Sequence, residues 1–239
     1  MTNTTHANVL IIDTATEACS VALRTDADVY HQFEVCPQQQ SQRILPMVKQ
    51  VCEQAGITIQ QVNAIGFGQG PGSFTGVRIA IGTVQGLALG LDVPVVGVST
   101  LAAMAQQAIE QNIQSDSDDV LVAIDARMSE VYFAHYRKSK DQNERIELVG
   151  EEQVLSPELA SNYAATVPGC NFAGTGWEAY PALLAVLNSK QLQVTLPDAL
   201  YMQNEVMHKL TEGIVDSAES VAPVYLRDTV TWKKLPGRE

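Results

Sequence analysis

The sequence predicts an α/β fold that is built twice and arranged as two lobes with a cleft between them. Three observations carry this. Residues 9–99 alternate short β-rich runs with amphipathic stretches in the order β-β-β-α-β-α-β. The opening pattern VLIIDTATEACSVALR returns in the second half as VLVAIDARMSEVYFAHYR (120–137), with Asp125 laid on Asp13. The length, 239 residues at 46 % hydrophobic, suffices for one large domain or two of ordinary size. The polar stretch QSDSDD (114–119) marks the junction, which gives a first lobe of residues 1–113 and a second of 114–239, the last segment packing back on the first.

Each element has a local reason. VLII (9–12) ends at Asp13, turns through TATEA, returns as CSVALR (19–24), turns again through TDAD and continues as VYHQFEVC from Val29. Three such runs joined by short turns form an antiparallel meander. SQRILPMVKQVCEQAG then places Ile44, Met47, Val48, Val51, Cys52 and Ala55 on one helical face, with Ser41 as N-cap and Gly56 as stop. Pro46 belongs near its first turn, where a missing N–H costs nothing. VNAIGF (62–67) reads as a strand, 77–91 as a helix, VPVVGVS (93–99) as a strand, and a helix starts near Leu101. Farther on we expect helices over 157–165, 177–187 and 198–213, a strand-turn at FAGTG (172–176) and an irregular tail.

Composition narrows the function classes. Net charge is −12, from 27 acids against 15 bases, so a lone subunit repels a polyanion unless its bases are gathered in one place. Cys19, Cys36, Cys52 and Cys170 form no CxxC pair and read as buried, reduced thiols of a cytoplasmic protein. MTNTTHAN lacks the basic start and apolar stretch of a signal peptide. The most apolar segment, 77–91, is interrupted by Arg78, Gln85 and three glycines, so no membrane span is expected. His6, His31, His135 and His208 are isolated, with none of the paired spacings of a metal site.

GFGQGPGSFTG (66–76) poses the main question. Glycines followed by a helix can converge backbone N–H groups on a phosphate, which makes Asp13, Thr14, Gly70, Gly72, Ser73, Thr75 and Gly76 a candidate vestigial nucleotide corner. Yet no Lys-Ser or Lys-Thr follows Gly76, the dinucleotide spacing is absent, and Pro71 stands where a nucleophile elbow around Ser73 would need glycine. The alternative is a tight turn that sets the entry angle of the next helix. On that helix Gly82, Gly86 and Gly90 recur every fourth residue and leave one face nearly bare for close approach of another backbone. Asp13 and Asp125 sit at strand ends, where enzymes of the actin, sugar kinase and Hsp70 architecture hold magnesium and phosphate; capping of a tight turn explains them equally well.

The segments DTATEACSVAL, QRILPMV, GPGSFTGVRI, QGLALG, VGVSTL, GTGW and PVYLR, with AIDARM and the EVY after it, together resemble the bacterial TsaB (YeaZ) family of gamma-proteobacterial type. The matches run from the first strand to the C-terminal tail. The resemblance implies a duplicated actin-like ATPase (ASKHA, RNase H-like) fold and a role in making N6-threonylcarbamoyladenosine at position 37 of tRNA. It implies a non-catalytic scaffold: TsaC makes threonylcarbamoyl-AMP, TsaD transfers the group, and TsaE is an ATPase that joins the TsaB–TsaD pair. ATP, magnesium and a metal then belong to the partner subunits, and this chain binds no cofactor or metal of its own. Where TsaD carries a metal-binding HxxxH pair, this sequence has Thr100 and Met104.

A scaffold should carry its partner surface on helices. The resemblance implies docking on TsaD through the first lobe, with Arg43, Ile44, Met47, Val48 and Val51 on one helix and Gly82, Gly86 and Gly90 on the next as candidates, and homodimerisation when the partner is absent. On this reading Met47→Glu loosens the partner and leaves the chain folded. Arg227, Lys233 and Lys234 in the basic tail are candidates for contact with tRNA or an acidic surface. Two other functions compete: an ATP-binding phosphotransferase of the same fold, motivated by Asp13 and Asp125, and a degenerate peptidase of the glycoprotease family.

Overall fold

The computed structural model describes residues 8–111, 117–140, 145–187 and 193–227. Strands β1 (Val9–Asp13), β2 (Ala18–Arg24) and β3 (Val29–Val35) form the meander; α1 (Gln40–Ala55), β4 (Ala64–Gly68), α2 (Phe74–Leu91), β5 (Val95–Val98) and α3 (Thr100–Glu110) follow. The second half holds β6 (Asp119–Asp125), β7 (Val131–Lys138), β8 (Ile146–Leu148), β9 (Gln153–Leu155), α4 (Pro157–Ala164), β10 (Asn171–Ala173), α5 (Gly176–Ala179), α6 (Pro181–Leu187) and α7 (Gln203–Glu212).

The strands make two sheets, ordered β3-β2-β1-β4-β5 and β10-β6-β7-β8, with β9 also paired to β7. Each sheet is organised around the strand that opens its half. Strand β1 is antiparallel to β2 and parallel to β4; β6 is antiparallel to β7 and parallel to β10. Asp13 and Asp125 close the two equivalent strands, so the sequence repeat is present as a repeat of topology. This is the duplicated actin-like α/β fold in two lobes.

Helices cover both faces of both sheets. Ile44, Met47, Val48, Val51 and Cys52 of α1 and Val77, Ile81, Val84 and Ala88 of α2 pack on Leu10, Ile12, Ile65 and Phe67 of the first sheet. Its other face, with Val9, Ile11, Val96 and Val98, is closed by Val206 and Leu210 of α7. Helix α3, which lies before the polar junction, sends Leu101, Met104, Ala105 and Ala108 into the core of the second sheet beside Val120, Val122 and Ala134. The remaining face is covered by Ala160 of α4, Trp177 of α5 and Leu183 of α6. Full burial of each large aliphatic side chain contributes about 1.5–3 kcal/mol, which makes these four interfaces the main stabilising term.

Several boundaries differ from the sequence expectation, for local reasons. Helix α1 begins at Gln40, not after Ser41, because the buried Gln40 amide donates to the Thr16 carbonyl (2.9 Å) and fixes the chain before Ser41. Pro46 sits in the second turn, on the exposed side. Gly56 ends the helix in the left-handed region (φ 68°), as its position predicts. Helix α2 starts three residues early because the Ser73 hydroxyl accepts from Gly76 N–H and caps it there. Tyr180 is extended ahead of Pro181, which splits the expected 177–187 helix into α5 and α6. The 198–213 helix opens as a 3-10 turn (Ala199–Met202) capped by Asp198. Short strands β8 and β9, only three residues each, carry too little alternation to be read in advance. By length and composition α2 alone among the described residues is long and apolar enough to cross a membrane; here Val77, Ala80, Ile81, Val84 and Ala88 lie in the core beneath it. All four cysteines are buried and free.

Candidate functional site

The glycine loop is closed on itself. The Ser73 N–H donates to the Ala15 carbonyl at 2.7 Å, and the Thr14 hydroxyl donates to the Gly76 carbonyl at 2.7 Å. A Cβ on Gly72 would stand 2.3 Å from the Ala15 oxygen, and one on Gly76 would stand 2.1 Å from the Thr14 oxygen. Two backbones thus touch at Gly72 and Gly76, and the Gly76 N–H donates to the Ser73 hydroxyl that caps α2. The glycines serve contact between the β1–β2 turn and the start of α2. Gly70 turns the chain with φ 98°, and Thr75 is exposed in the first turn of α2.

Asp13 lies beneath this contact, fully buried. One carboxyl oxygen accepts the Ala15 N–H at 3.1 Å and the other, Oδ2, has no partner. Burial pushes its pKa up to about 7; the Ala15 N–H opposes this and the nearby Asp198 carboxylate adds to it. A folded-state value above the unfolded 3.8 means that its contribution is complete below about pH 4 and is lost as pH climbs to 7, a span worth roughly 4 kcal/mol. Asp13→Asn is therefore expected to flatten the fall in unfolding free energy between pH 5 and 7. Urea titrations across that range test it, and an unchanged slope refutes the assignment.

The equivalent turn of the second lobe is more open. Asp125 accepts from Arg127 N–H, the Arg127 guanidinium and the Tyr180 hydroxyl, at 2.8–2.9 Å. Burial and this carboxylate push the Tyr180 hydroxyl up to about 12. Arg127, Met128 and Ser129 all have φ between 55° and 61°, a run of left-handed residues that costs roughly 1–2 kcal/mol each. Arg227 clamps this turn: its guanidinium pairs with Glu130 and donates to the Arg127 carbonyl. Two residues earlier Tyr225 stacks on Phe74 (6.1 Å between centroids) and its hydroxyl accepts from Arg78. Residues 225–227 therefore strap the first lobe to the second. Beneath the strap, Ser73, Phe74, Asp125, Tyr132, Tyr225 and Arg227 line a cleft of about 710 Å³.

The predicted partner residues divide. Ile44, Met47, Val48 and Val51 are at most 4 % exposed and belong to the first core, so they cannot touch a partner while the lobe is folded; Arg43 is half exposed and pairs with Glu34 at 2.5 Å. Gly82, Gly86 and Gly90 are exposed, and a Cβ at any of them would meet nothing within 4 Å. Phe74 (58 %) and Leu89 (67 %) on the same helix and Leu45 (54 %) on α1 are exposed as well. Thr100 and Met104 are fully buried. Among the described residues no three His, Cys, Asp or Glu side chains gather as metal ligands. Lys233 and Lys234 lie outside the described residues, while Arg227 is engaged within the chain. Sequence reasoning missed Tyr180, Phe74 and Tyr225: their contacts join residues 50 to 151 positions apart, which no local pattern encodes.

The profile of the family described as "TsaD: tRNA N6-adenosine threonylcarbamoyltransferase" matches residues 33–233. A protein of Escherichia coli (strain K12) named "tRNA threonylcarbamoyladenosine biosynthesis protein TsaB" is 47 % identical over 97 % of this chain and 99 % of its own length. Its namesake from Haemophilus influenzae is 42 % identical over 97 % and 98 %. The solved structure titled "YeaZ from Pseudomonas aeruginosa" superposes with a TM-score of 0.78 at 40 % identity, covering 92 % of this chain and all of that one.

Proposed function

Because the chain belongs to the TsaB family, with the TsaD profile spanning most of its length, we propose that it is a non-catalytic scaffold subunit of tRNA threonylcarbamoyladenosine synthesis. It docks on TsaD in the cytoplasm, TsaE joins the pair, and tRNA is reached through the complex. The observation that carries this reading is the open face of α2. Each glycine inside a helix costs roughly 1 kcal/mol against alanine, and among the described residues nothing lies within 4 Å of a Cβ built at Gly82, Gly86 or Gly90. A partner helix lying close across them, flanked by Phe74, Leu89 and Leu45, recovers that cost, and a second copy covers the same face when the partner is missing.

Two measurements test this. Threonylcarbamoyladenosine formed on tRNA by TsaC, TsaD and TsaE with ATP, threonine and bicarbonate should require this chain; equal product without it discards the reading. Gly86→Leu should leave the chain folded and weaken TsaD association by about tenfold or more, ~1.4 kcal/mol, because a side chain now stands where a backbone must approach. Unchanged co-elution with TsaD removes this face from the interface. The cleft of about 710 Å³ favours one second reading, an ATP-using phosphotransferase. Saturable ATP binding by the isolated chain would support it.

A further inference from the structure

A second cavity, of about 300 Å³, lies where α3, α7 and the β7–β8 pair converge, away from the cleft under the strap. Four charged side chains line it: Arg145, Lys209, Glu152 and Glu205. Two of them are already spent on each other. Lys209 pairs with Glu205 at 3.3 Å and donates to the Gly97 carbonyl at 2.9 Å. The other two are not. Among the described residues Arg145 makes no ion pair, and its Nε is buried without a hydrogen-bond partner. Glu152 accepts the Ser99 and Tyr136 hydroxyls on Oε1 alone, so its carboxylate is held in place yet not neutralised. Ser99 is itself fixed as the N-cap of α3, accepting from Leu101 and Ala102 N–H.

One uncompensated cation and one uncompensated anion thus face the same small cavity without bridging each other. A buried guanidinium donor left unpaired is costly, and leaving it so is unusual unless something else completes it. Val98, Ala102, Ile146 and Leu148 supply apolar wall between the charges. We propose that this cavity binds a free α-amino acid, its carboxylate on the Arg145 guanidinium, its ammonium on Glu152, and its side chain against the apolar wall. Arginine suits the first contact because its planar fork matches a carboxylate with two donors. The hydroxyl-anchored Glu152 suits the second because it leaves Oε2 for the ligand. Since α3 packs on the second sheet and α7 on the first, an occupant here touches elements of both lobes.

The proposal is independent of the scaffold reading, and its test uses the isolated full-length chain, so the two can fail separately. Calorimetric titration and thermal unfolding with each proteinogenic amino acid up to about 10 mM should find at least one that binds, with acetate and ethylamine as probes carrying a single charge. Arg145→Met and Glu152→Gln should each weaken that binding by about tenfold or more. Without ligand, Arg145→Met should unfold at the same temperature as the parent or a higher one, because an unsatisfied donor has been removed. The proposal is overturned if no amino acid binds, if acetate binds as well as the amino acid, or if either variant binds like the parent.

Discussion

Met47→Glu is expected to unfold the first lobe. Met47 is 2 % exposed and packs among Ile44, Val48, Val51 and the inner face of the first sheet, so a glutamate there loses the burial of a large apolar side chain and puts a carboxylate among apolar neighbours. The combined cost is about 4 kcal/mol or more, against a total stability of roughly 5–15 kcal/mol for a folded protein. Urea denaturation followed by circular dichroism reads it directly. The informative comparison is Leu45→Glu, two residues away on the same helix but 54 % exposed, which should change stability by no more than about 0.5 kcal/mol. If α1 contributes to docking, it is Leu45→Glu that loosens the partner in a folded protein. A Met47→Glu chain as stable as its parent would refute the packing described for α1.

Gly76→Ala is expected to cost about 3 kcal/mol or more, whereas Gly86→Ala on the same helix should gain up to about 1 kcal/mol. The chemical change is identical; the surroundings differ. At position 76 the new methyl would stand 2.1 Å from the Thr14 carbonyl oxygen, and the obstacle is backbone that cannot rotate aside. Relief requires moving the start of α2 off the β1–β2 turn, which breaks the bonds from Thr14 to Gly76 and from Ser73 to Ala15. At position 86 the methyl meets nothing within 4 Å, and only the helix preference of alanine over glycine is felt. Chemical denaturation of the two variants side by side settles both signs. A Gly76→Ala protein as stable as Gly86→Ala would mean that the glycine corner is looser than its hydrogen bonds indicate.

What was legible in the sequence was what short-range patterning encodes. The alternation of β1 to β3, the 3.6-residue spacing of α1 and the matching of Asp13 with Asp125 each depend on neighbours within a few residues, and each survives in the fold. The apolar face of α1 was visible, but its direction was not: a stripe of Ile44, Met47, Val48 and Val51 looks the same whether it meets its own sheet or another chain. The glycines were visible too, and they fall into opposite classes. Gly72 and Gly76 are crowded by backbone, Gly82, Gly86 and Gly90 by nothing, and only three-dimensional neighbours tell them apart. A cleft between the lobes was foreseen, but neither the strap over it nor the second cavity was. Phe74 meets Tyr225, and Arg145 meets the same space as Ser99 and Glu205, across sequence separations that no periodicity spans.

The exchange of covers between the two halves bears on how the chain is made. The face of the first sheet that carries Val9, Ile11, Val96 and Val98 is closed by Val206 and Leu210, and translation reaches those last. At roughly 5–20 residues per second, synthesis leaves that apolar face bare on the ribosome for on the order of ten seconds after its strands are complete. Helix α3 waits in the same way for β6 and β7. A nascent or truncated first half is therefore an adhesive species, and the first lobe becomes self-contained only once α7 has folded back onto its sheet.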